Sequence, residues 1–187
     1  MRTVDAILKD YRAFLSDVSE EAARLTEIYR EYMVCKKGCS QCCTDLTLLP
    51  LEWFALDKVV QDEGLHPQPY VSEERCTMLD NDACMVYPYR PLICRTHGLP
   101  LLYLTQDYND AGIRIKVDEP EWQISWCDLN FTDVSEETME DIFDPEDVLN
   151  MEEWNLILGK LNREFLKTPE GKALGKNRIP LKNISAS

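Results

Sequence analysis

The stretch Cys35–Cys43, CKKGCSQCC, places four cysteines within nine residues of the chain. Four more follow, at Cys76, Cys84, Cys94 and Cys127. Thiols packed this closely indicate either a metal site or disulfides, because both uses bring several sulfur atoms to one place. A C-x2-C step puts two thiolates on one side of a tight turn, and Gly38 permits unusual backbone angles just before it. This stretch therefore decides the fold around it and the available chemistry.

The rest of the composition is that of a globular protein. The chain has 187 residues, of which 44% are hydrophobic, so a single domain with its own core is expected over residues 1–187. Eight cysteines in this length lie well below the roughly 8–10% that marks small secreted disulfide scaffolds. Twenty basic and 34 acidic residues give a net charge of −14, which opposes binding to nucleic acid or to an anionic membrane.

The sequence predicts a cytoplasmic protein. The first ten residues, MRTVDAILKD, have neither the apolar segment nor the small-residue cleavage site of a secretory signal. No stretch approaches the roughly 18–20 consecutive apolar residues that span a bilayer. Thiols stay reduced in the cytosol, so a cysteine cluster there favours metal binding over disulfides.

Hydrophobic periodicity predicts helices in the first third of the chain. Apolar side chains recur at steps of three and four over residues 3–33, which predicts an N-terminal helical region over 1–33. Ser16–Ser19 is expected to divide this helix, and Gly38 to follow its end. A second helix is predicted over Pro50–Glu63, with its apolar face formed by Trp53, Leu56, Val59 and Val60.

The remaining elements are less regular. The segment 66–98 is rich in Pro, Asp and Asn, so an ordered conformation there requires an additional constraint, such as a bound metal. Residues 99–117 are predicted to form a β-hairpin with strands over 99–105 and 113–117. C-terminal helices are predicted at 135–143 and 151–167, within a region 135–167. The predicted fold class is mainly α with a small β-hairpin and irregular cysteine-rich metal-binding loops packed on helices.

The cysteine spacing is shared by more than one class of protein. The pattern Cys35-x3-Cys39-x2-Cys42 also occurs in radical-SAM enzymes, which hold a 4Fe–4S cluster with one open iron. The residues after Cys43 lack the repeated strand–helix alternation of the partial barrel that those enzymes need. A set of merely buried, reduced cysteines is also disfavoured, because burial alone does not require such a run in a loop with Lys and Gly.

The second half of the cluster carries a more specific pattern. Cys76 is followed by Cys84 with Val86-Tyr87, and then by Arg90-Pro91 and Cys94-Arg95. Together with the run at 35–43, these motifs resemble the YkgJ-type cysteine-cluster family, also described as the CxxCxxCC zinc- or iron-chelating domain, over about residues 35–98. The first gap holds three residues here against two in the family's name. The resemblance implies metal chelation and says little about a reaction.

All the cysteines are candidate metal ligands. Eight thiols allow two four-cysteine sites, or one site with spare thiols. Adjacent residues tend to point apart, so Cys42 and Cys43 are candidates for different metals. The full candidate set is Cys35, Cys39, Cys42, Cys43, Cys76, Cys84, Cys94 and Cys127.

Three basic side chains lie within four residues of Cys94 in the sequence: Arg90, Arg95 and His97. Arg90 and Arg95 flank Cys94 and are candidates for binding the cofactor, by compensating its charge and hydrogen-bonding its sulfurs. The alternative for both is ion pairing with surface carboxylates. His97 could ligate metal or serve the structure, and His66 is expected to be exposed.

Thiolate-rich sites suit both zinc and iron–sulfur clusters. Three close cysteines plus distant ones favour an iron–sulfur cluster, of the 4Fe–4S type, or iron, because two paired C-x2-C knuckles would favour zinc. The sequence predicts a cytoplasmic iron–sulfur or iron-binding protein with a redox or cluster-dependent role. A redox role implies a protein partner that exchanges electrons with it. The alternatives are a zinc-stapled interaction module and a cluster-dependent modification enzyme.

Overall fold

Helices carry most of the regular structure in the computed structural model, which describes residues 2–36, 38–108, 114–115, 117–134, 138 and 142–185. The strands are short. The helices are α1 (Val4–Ile28), α2 (Pro50–Asp62), α3 (Leu92–Thr96), α4 (Met151–Phe165) and α5 (Pro169–Leu174). The strands are β1 (Thr47–Leu48), β2 (Leu79–Asp80), β3 (Ala83–Cys84), β4 (Leu101–Leu104), β5 (Asp107–Tyr108), β6 (Arg114–Ile115), β7 (Trp122–Ser125), β8 (Leu149–Asn150) and β9 (Ile179–Pro180).

Helix α1 is a single helix, so the predicted division at Ser16–Ser19 was wrong. The Ser19 hydroxyl donates to the carbonyl of Leu15 at 2.7 Å, which satisfies it inside the helix. The helix also ends well before Gly38, with Tyr29 as its C-cap. Tyr29 is held there because its hydroxyl donates to the carbonyl of Asp147 at 2.8 Å. The predicted apolar face is confirmed by the buried residues Ile7, Leu8, Tyr11, Phe14, Leu15, Val18 and Leu25.

The predicted start of α2 at Pro50 is confirmed, and its end lies one residue before the predicted end. Helix α4 begins after Asn150, whose side chain accepts the amide hydrogen of Glu152 at 3.2 Å. The sequence spacing predicts one apolar side for this helix, with Trp154, Ile157, Leu158, Leu161 and Phe165. Leu158 and Phe165 are buried, whereas Ile157 is 43% exposed, so its placement on that side was wrong. Most of the helix predicted at 135–143 lies outside the described residues.

The strand predicted at 99–105 exists, but its partner differs from the predicted one. Strand β4 pairs antiparallel with β7 and parallel with β8, in a three-stranded sheet. The end of β4 is fixed to β7 because Thr105 donates its amide hydrogen to the Glu121 carbonyl at 2.8 Å, and the Thr105 hydroxyl accepts from Glu121 at 2.9 Å. The hairpin that does form is the smaller pair β5–β6. The pairing of 99–105 with 113–117 was therefore wrong.

The segment 66–98 contains short elements between its loops. Strands β2 and β3 form a hairpin, with Asn81 and Asp82 at φ of 46° and 62° in its two-residue turn. Positive φ at both central residues is the requirement of the turn that matches the twist of paired strands. A 3-10 helix at Tyr87–Tyr89 and then α3 follow. These elements position Cys84 and Cys94.

Two hydrophobic cores flank these loops. The larger one packs α1 against α4, with Leu51 of α2, Leu92 of α3 and Leu99 beside them. The smaller one has Cys76 and Cys84 packed against it and comprises Leu48, Leu56, Val60, Met78, Val86, Leu181 and Ile184. Across the described part of the chain, none of the helices has the length and apolar character needed to cross a bilayer.

Candidate metal centre

Seven of the eight cysteines line one cavity of about 270 Å³. Arg90, Arg95 and His97 line it too, whereas Cys127 does not. All eight cysteines are free thiols and partly buried. Segments far apart in sequence thus present their sulfur atoms to the same space: Cys35, Cys39, Cys42 and Cys43 from the first run, then Cys76, Cys84 and Cys94.

Two tight turns shape the first run. The amide of Cys39 donates to the carbonyl of Lys36 at 3.0 Å, and the amide of Cys43 donates to the carbonyl of Ser40 at 3.0 Å. Gly38 precedes Cys39 at φ 99°, a conformation that favours glycine. The turns bring Cys39, Cys42 and Cys43 to the cavity.

Cys42, Cys43 and His97 all line the cavity. The neighbouring Cys43 thiol raises the pKa of Cys42 to about 12, and His97 opposes that rise. The Cys42 thiol in turn lowers the pKa of Cys43. His66 is exposed, as predicted.

The middle of the cluster is tied to the first run through the backbone. Cys76 donates its amide hydrogen to the carbonyl of Cys43 at 2.9 Å. The sulfur of Cys76 accepts from the amide of Met78 at 3.4 Å, and Cys84 accepts likewise from the amide of Val86. Burial raises the pKa of Cys76 to about 11, and the Met78 bond opposes that rise. Amide hydrogens aimed at sulfur are typical of sites that hold thiolates.

Cys94 depends on a buried carboxylate in α2. Glu52 is 3% exposed, and its two oxygens accept the amide hydrogens of Leu92 and Leu49, both at 3.2 Å. The first bond fixes the start of α3, the helix that carries Cys94. Burial raises the pKa of Cys94 to about 12, and the neighbouring thiols of Cys76 and Cys84 add to the rise.

The two arginines bind backbone carbonyls around Cys94. Arg90 donates to the carbonyl of Cys94 at 2.8 Å, and its guanidinium lies 3.8 Å from the ring centre of Tyr87. Arg95 donates to the carbonyl of Arg90 at 2.6 Å and to the hydroxyl of Ser19 at 2.7 Å. Both side chains thus brace the loop that presents Cys94 and still reach the cavity.

Asn130 is a site residue that the sequence reasoning missed. It is 2% exposed, and its side-chain nitrogen donates to Cys35 Sγ at 3.3 Å and to the carbonyl of Gly98 at 2.7 Å. Its side-chain oxygen accepts the amide hydrogen of Val34 at 2.9 Å, and its own amide donates to the carbonyl of Cys127 at 2.8 Å. The only feature of the sequence that could have pointed to Asn130 is its position three residues after Cys127.

The donor set fits a thiolate metal site whose sulfur atoms still have to move closer to one another. In the part of the chain that is described, no three Cys, His, Asp or Glu side chains form a ready-made metal site. Burial holds the pKa of Cys76 and Cys94 high, so both are protonated thiols at neutral pH. Metal binding requires thiolates, and it is therefore expected to release these protons as the sulfurs close on the ion. Sulfur and imidazole ligands suit zinc and iron–sulfur clusters.

One comparison with known proteins identifies the family. The CxxCxxCC family model, described as "Putative zinc- or iron-chelating domain", matches residues 34–128, about half of the chain. No curated protein and no solved structure matched the chain. The matched range includes all eight cysteines and confirms the resemblance seen in the motifs. The chain belongs to the CxxCxxCC family of zinc- or iron-chelating domains.

Proposed function

We propose that this protein binds an iron–sulfur cluster through its cysteines and uses it in a redox or other cluster-dependent role in the cytoplasm. The observation that carries the proposal is the meeting of seven free thiols, from separate segments, around one cavity. All eight cysteines are candidate ligands, which is enough for one four-cysteine site with spare thiols or for two such sites, and Arg90 and Arg95 are proposed to lie beside the bound group.

The number of thiols round the cavity favours a polynuclear centre over one zinc ion. A single tetrahedral zinc binds four ligands at about 2.3 Å. The cavity here is lined by seven cysteines, which is more thiols than one zinc can bind. An iron–sulfur cluster takes four cysteine ligands, adds the volume of its own iron and sulfide, and supplies one-electron chemistry.

The surroundings of the thiols suit a cluster whose charge must be balanced. A thiolate-bound cluster is negative, and the protein as a whole carries a net charge of −14. Arg90, Arg95 and His97 bring positive or proton-donating groups to the same cavity. The amide hydrogens of Met78 and Val86 add donors to Cys76 and Cys84. Hydrogen bonds to sulfur and nearby charge are the means by which a protein sets a cluster's potential.

The state of the thiols supports the proposed compartment. All eight are free, and a reducing compartment keeps them so. A redox role also implies a protein that exchanges electrons with the cluster, and we include such a partner in the proposal.

The test is the metal content of the full chain purified without oxygen. We expect iron and acid-labile sulfide in similar amounts and a visible absorption band from sulfur-to-iron charge transfer. Cys94→Ser should lose much of both signals, whereas His66→Ala, which changes an exposed residue, should keep them. A colourless protein that contains zinc and no sulfide would overturn the iron–sulfur proposal and support the zinc-stapled module.

A further inference from the structure

We infer that Asn130 is a positioning residue of the metal centre, which holds Cys35 Sγ at the cavity by donating a hydrogen bond to it. The inference deepens the proposed function and rests on its premise that the cysteines bind metal. Cys35 is the thiol whose spacing from Cys39 departs from the family's name by one residue. Contacts with segments distant in sequence fix the place of its sulfur.

The side-chain amide of Asn130 has a single orientation, because two backbone groups define it. The side chain is 2% exposed. Its oxygen accepts the amide hydrogen of Val34 at 2.9 Å, and its nitrogen donates to the carbonyl of Gly98 at 2.7 Å. Exchanging the oxygen and the nitrogen would set a donor against a donor and an acceptor against an acceptor, so both bonds would be lost. The second hydrogen of the nitrogen is therefore the one that Cys35 Sγ accepts, at 3.3 Å.

Gly98 makes a second close contact with Cys35. A methyl carbon built on Gly98 would lie 2.6 Å from Cys35 Sγ, so the sulfur occupies the space that a side chain at position 98 would need. The residues on both sides of Gly98, His97 and Leu99, line the cavity together with Cys35. Asn130 and Gly98 thus keep the sulfur at the cavity.

The position of Asn130 is fixed by the backbone on either side of its side chain. Its amide donates to the carbonyl of Cys127 at 2.8 Å, and the amide of the next residue, Phe131, donates to the carbonyl of Tyr32 at 2.8 Å. Phe131 is buried, and its ring stacks on that of Tyr32 with 5.6 Å between the ring centres. It has φ 59°, a conformation that is uncommon for residues other than glycine and that persists where the surrounding contacts determine it. The packing around Phe131 therefore determines where the Asn130 amide lies.

A hydrogen bond from a side-chain amide suits a thiolate ligand. Metal binding converts a thiol to a thiolate, and a hydrogen bond to a charged acceptor is stronger than one to a neutral acceptor. Partners of this kind orient metal ligands, and their loss typically weakens metal affinity about 10–100-fold. A purely structural role for Asn130 would act on the stability of the fold and would not single out Cys35.

Titration of the reduced, metal-free full chain with Co²⁺ alone, followed by alkylation of the unbound thiols and peptide mapping by mass spectrometry, tests the inference. Asn130→Asp keeps the size of the side chain and an oxygen that can accept from Val34, but it has no N–H group for Cys35. At saturating Co²⁺ we expect Cys35 to be protected from alkylation in the wild type and reactive in Asn130→Asp. Cys76 and Cys94 should stay protected in both proteins. The affinity of Asn130→Asp for Co²⁺ should be about 10–100-fold lower than that of the wild type.

Two further variants complete the experiment. Asn155→Ala changes an exposed asparagine, so it is the control and should match the wild type in affinity and in the pattern of protected thiols. Far-UV circular dichroism checks that Asn130→Asp folds, and Asn130→Ala replaces it if it does not.

The outcomes separate this inference from the proposed function. Wild type in which Co²⁺ leaves Cys35 reactive would overturn the inference without any variant. Equal protection of Cys35 in wild type and variant, or loss of protection at every cysteine alike, would also overturn it. These results do not depend on the native metal. A native protein with zinc and no sulfide would overturn the iron–sulfur proposal, while selective exposure of Cys35 in the variant would still support the role of Asn130.

Discussion

Alanine at Gly98 should disturb the site through a direct contact with Cys35. Gly98 has φ +95°, and a methyl carbon built on it would lie 2.6 Å from Cys35 Sγ and 3.4 Å from the side-chain nitrogen of Asn130. Heavy atoms of this kind prefer separations of about 3.5–4.0 Å, so the sulfur must move by about 1 Å. Gly98→Ala therefore displaces a candidate ligand without removing any thiol.

The loss of folding stability in Gly98→Ala has two parts, one from the backbone conformation and one from side-chain packing. A non-glycine residue in the left-handed region costs about 1–2 kcal/mol. Forcing an extra methyl into a packed interior costs about 1–3 kcal/mol more. Gly64 is the control, because it has φ +60° and nothing within 4 Å of a built methyl carbon. Gly98→Ala should thus lose about 1–3 kcal/mol more than Gly64→Ala, since only the first carries the packing cost.

The assay is urea unfolding of both variants in the reduced, metal-free state, followed by measurement of bound metal after reconstitution. Gly98→Ala should show the larger loss of unfolding free energy and a lower metal content, whereas Gly64→Ala should keep the wild-type metal content. Equal losses of stability together with equal metal content would refute the close approach of Gly98 to Cys35.

Three further changes probe the residues that support the thiols. Asn130→Ala removes three side-chain hydrogen bonds, each worth about 1 kcal/mol, so urea unfolding should show a loss of about 3 kcal/mol in the free energy of unfolding. The control Asn155→Ala changes an exposed residue and should lose far less than about 1 kcal/mol. Arg90→Lys should lower the thermal midpoint and the metal content. The flat guanidinium of Arg90 bonds the Cys94 carbonyl and stacks on the Tyr87 ring at the same time, and a lysine ammonium cannot do both. Unchanged values would contradict the supporting role of Arg90. Burial raises the pKa of Glu52 above its value in the unfolded chain. The folded protein therefore binds the proton more tightly, and this contribution to stability is lost as pH rises through the raised pKa. The free energy of unfolding of wild type, relative to that of Glu52→Gln, should fall over that pH range. Unfolding curves over a pH series measure that difference, and a relative stability that rises with pH would contradict it.

The elements that follow local rules could be predicted from the sequence. The α1 stripe and the start of α2 at Pro50 depend on helical periodicity and on proline at the first helical position. The metal-binding family was also readable, because its cysteines and Arg-Pro motif keep a fixed order along the chain. The helices are determined by neighbouring residues, and the family pattern is an order of residue types that can be read along the chain without knowing which segments meet.

The features that the sequence did not reveal depend on contacts between distant segments. Strand β4 pairs with β7, and Thr105 and Glu121 bond each other at the end of that pairing, yet neither residue signals the choice of partner locally. Asn130 lies far along the chain from Cys35, yet its amide fills the space between that thiol and Gly98. The place of Cys42 and Cys43 on one cavity likewise depends on the turns around them.

X-ray absorption at the iron and zinc edges, on the full chain purified without oxygen, measures the atoms around the metal itself. The account predicts a metal whose nearest neighbours are sulfur, with iron neighbours beyond them if the centre is an iron–sulfur cluster. A protein whose bound metal is surrounded by oxygen and nitrogen alone, or that holds no metal while all eight thiols stay reduced, would contradict the claim that these cysteines form a metal centre.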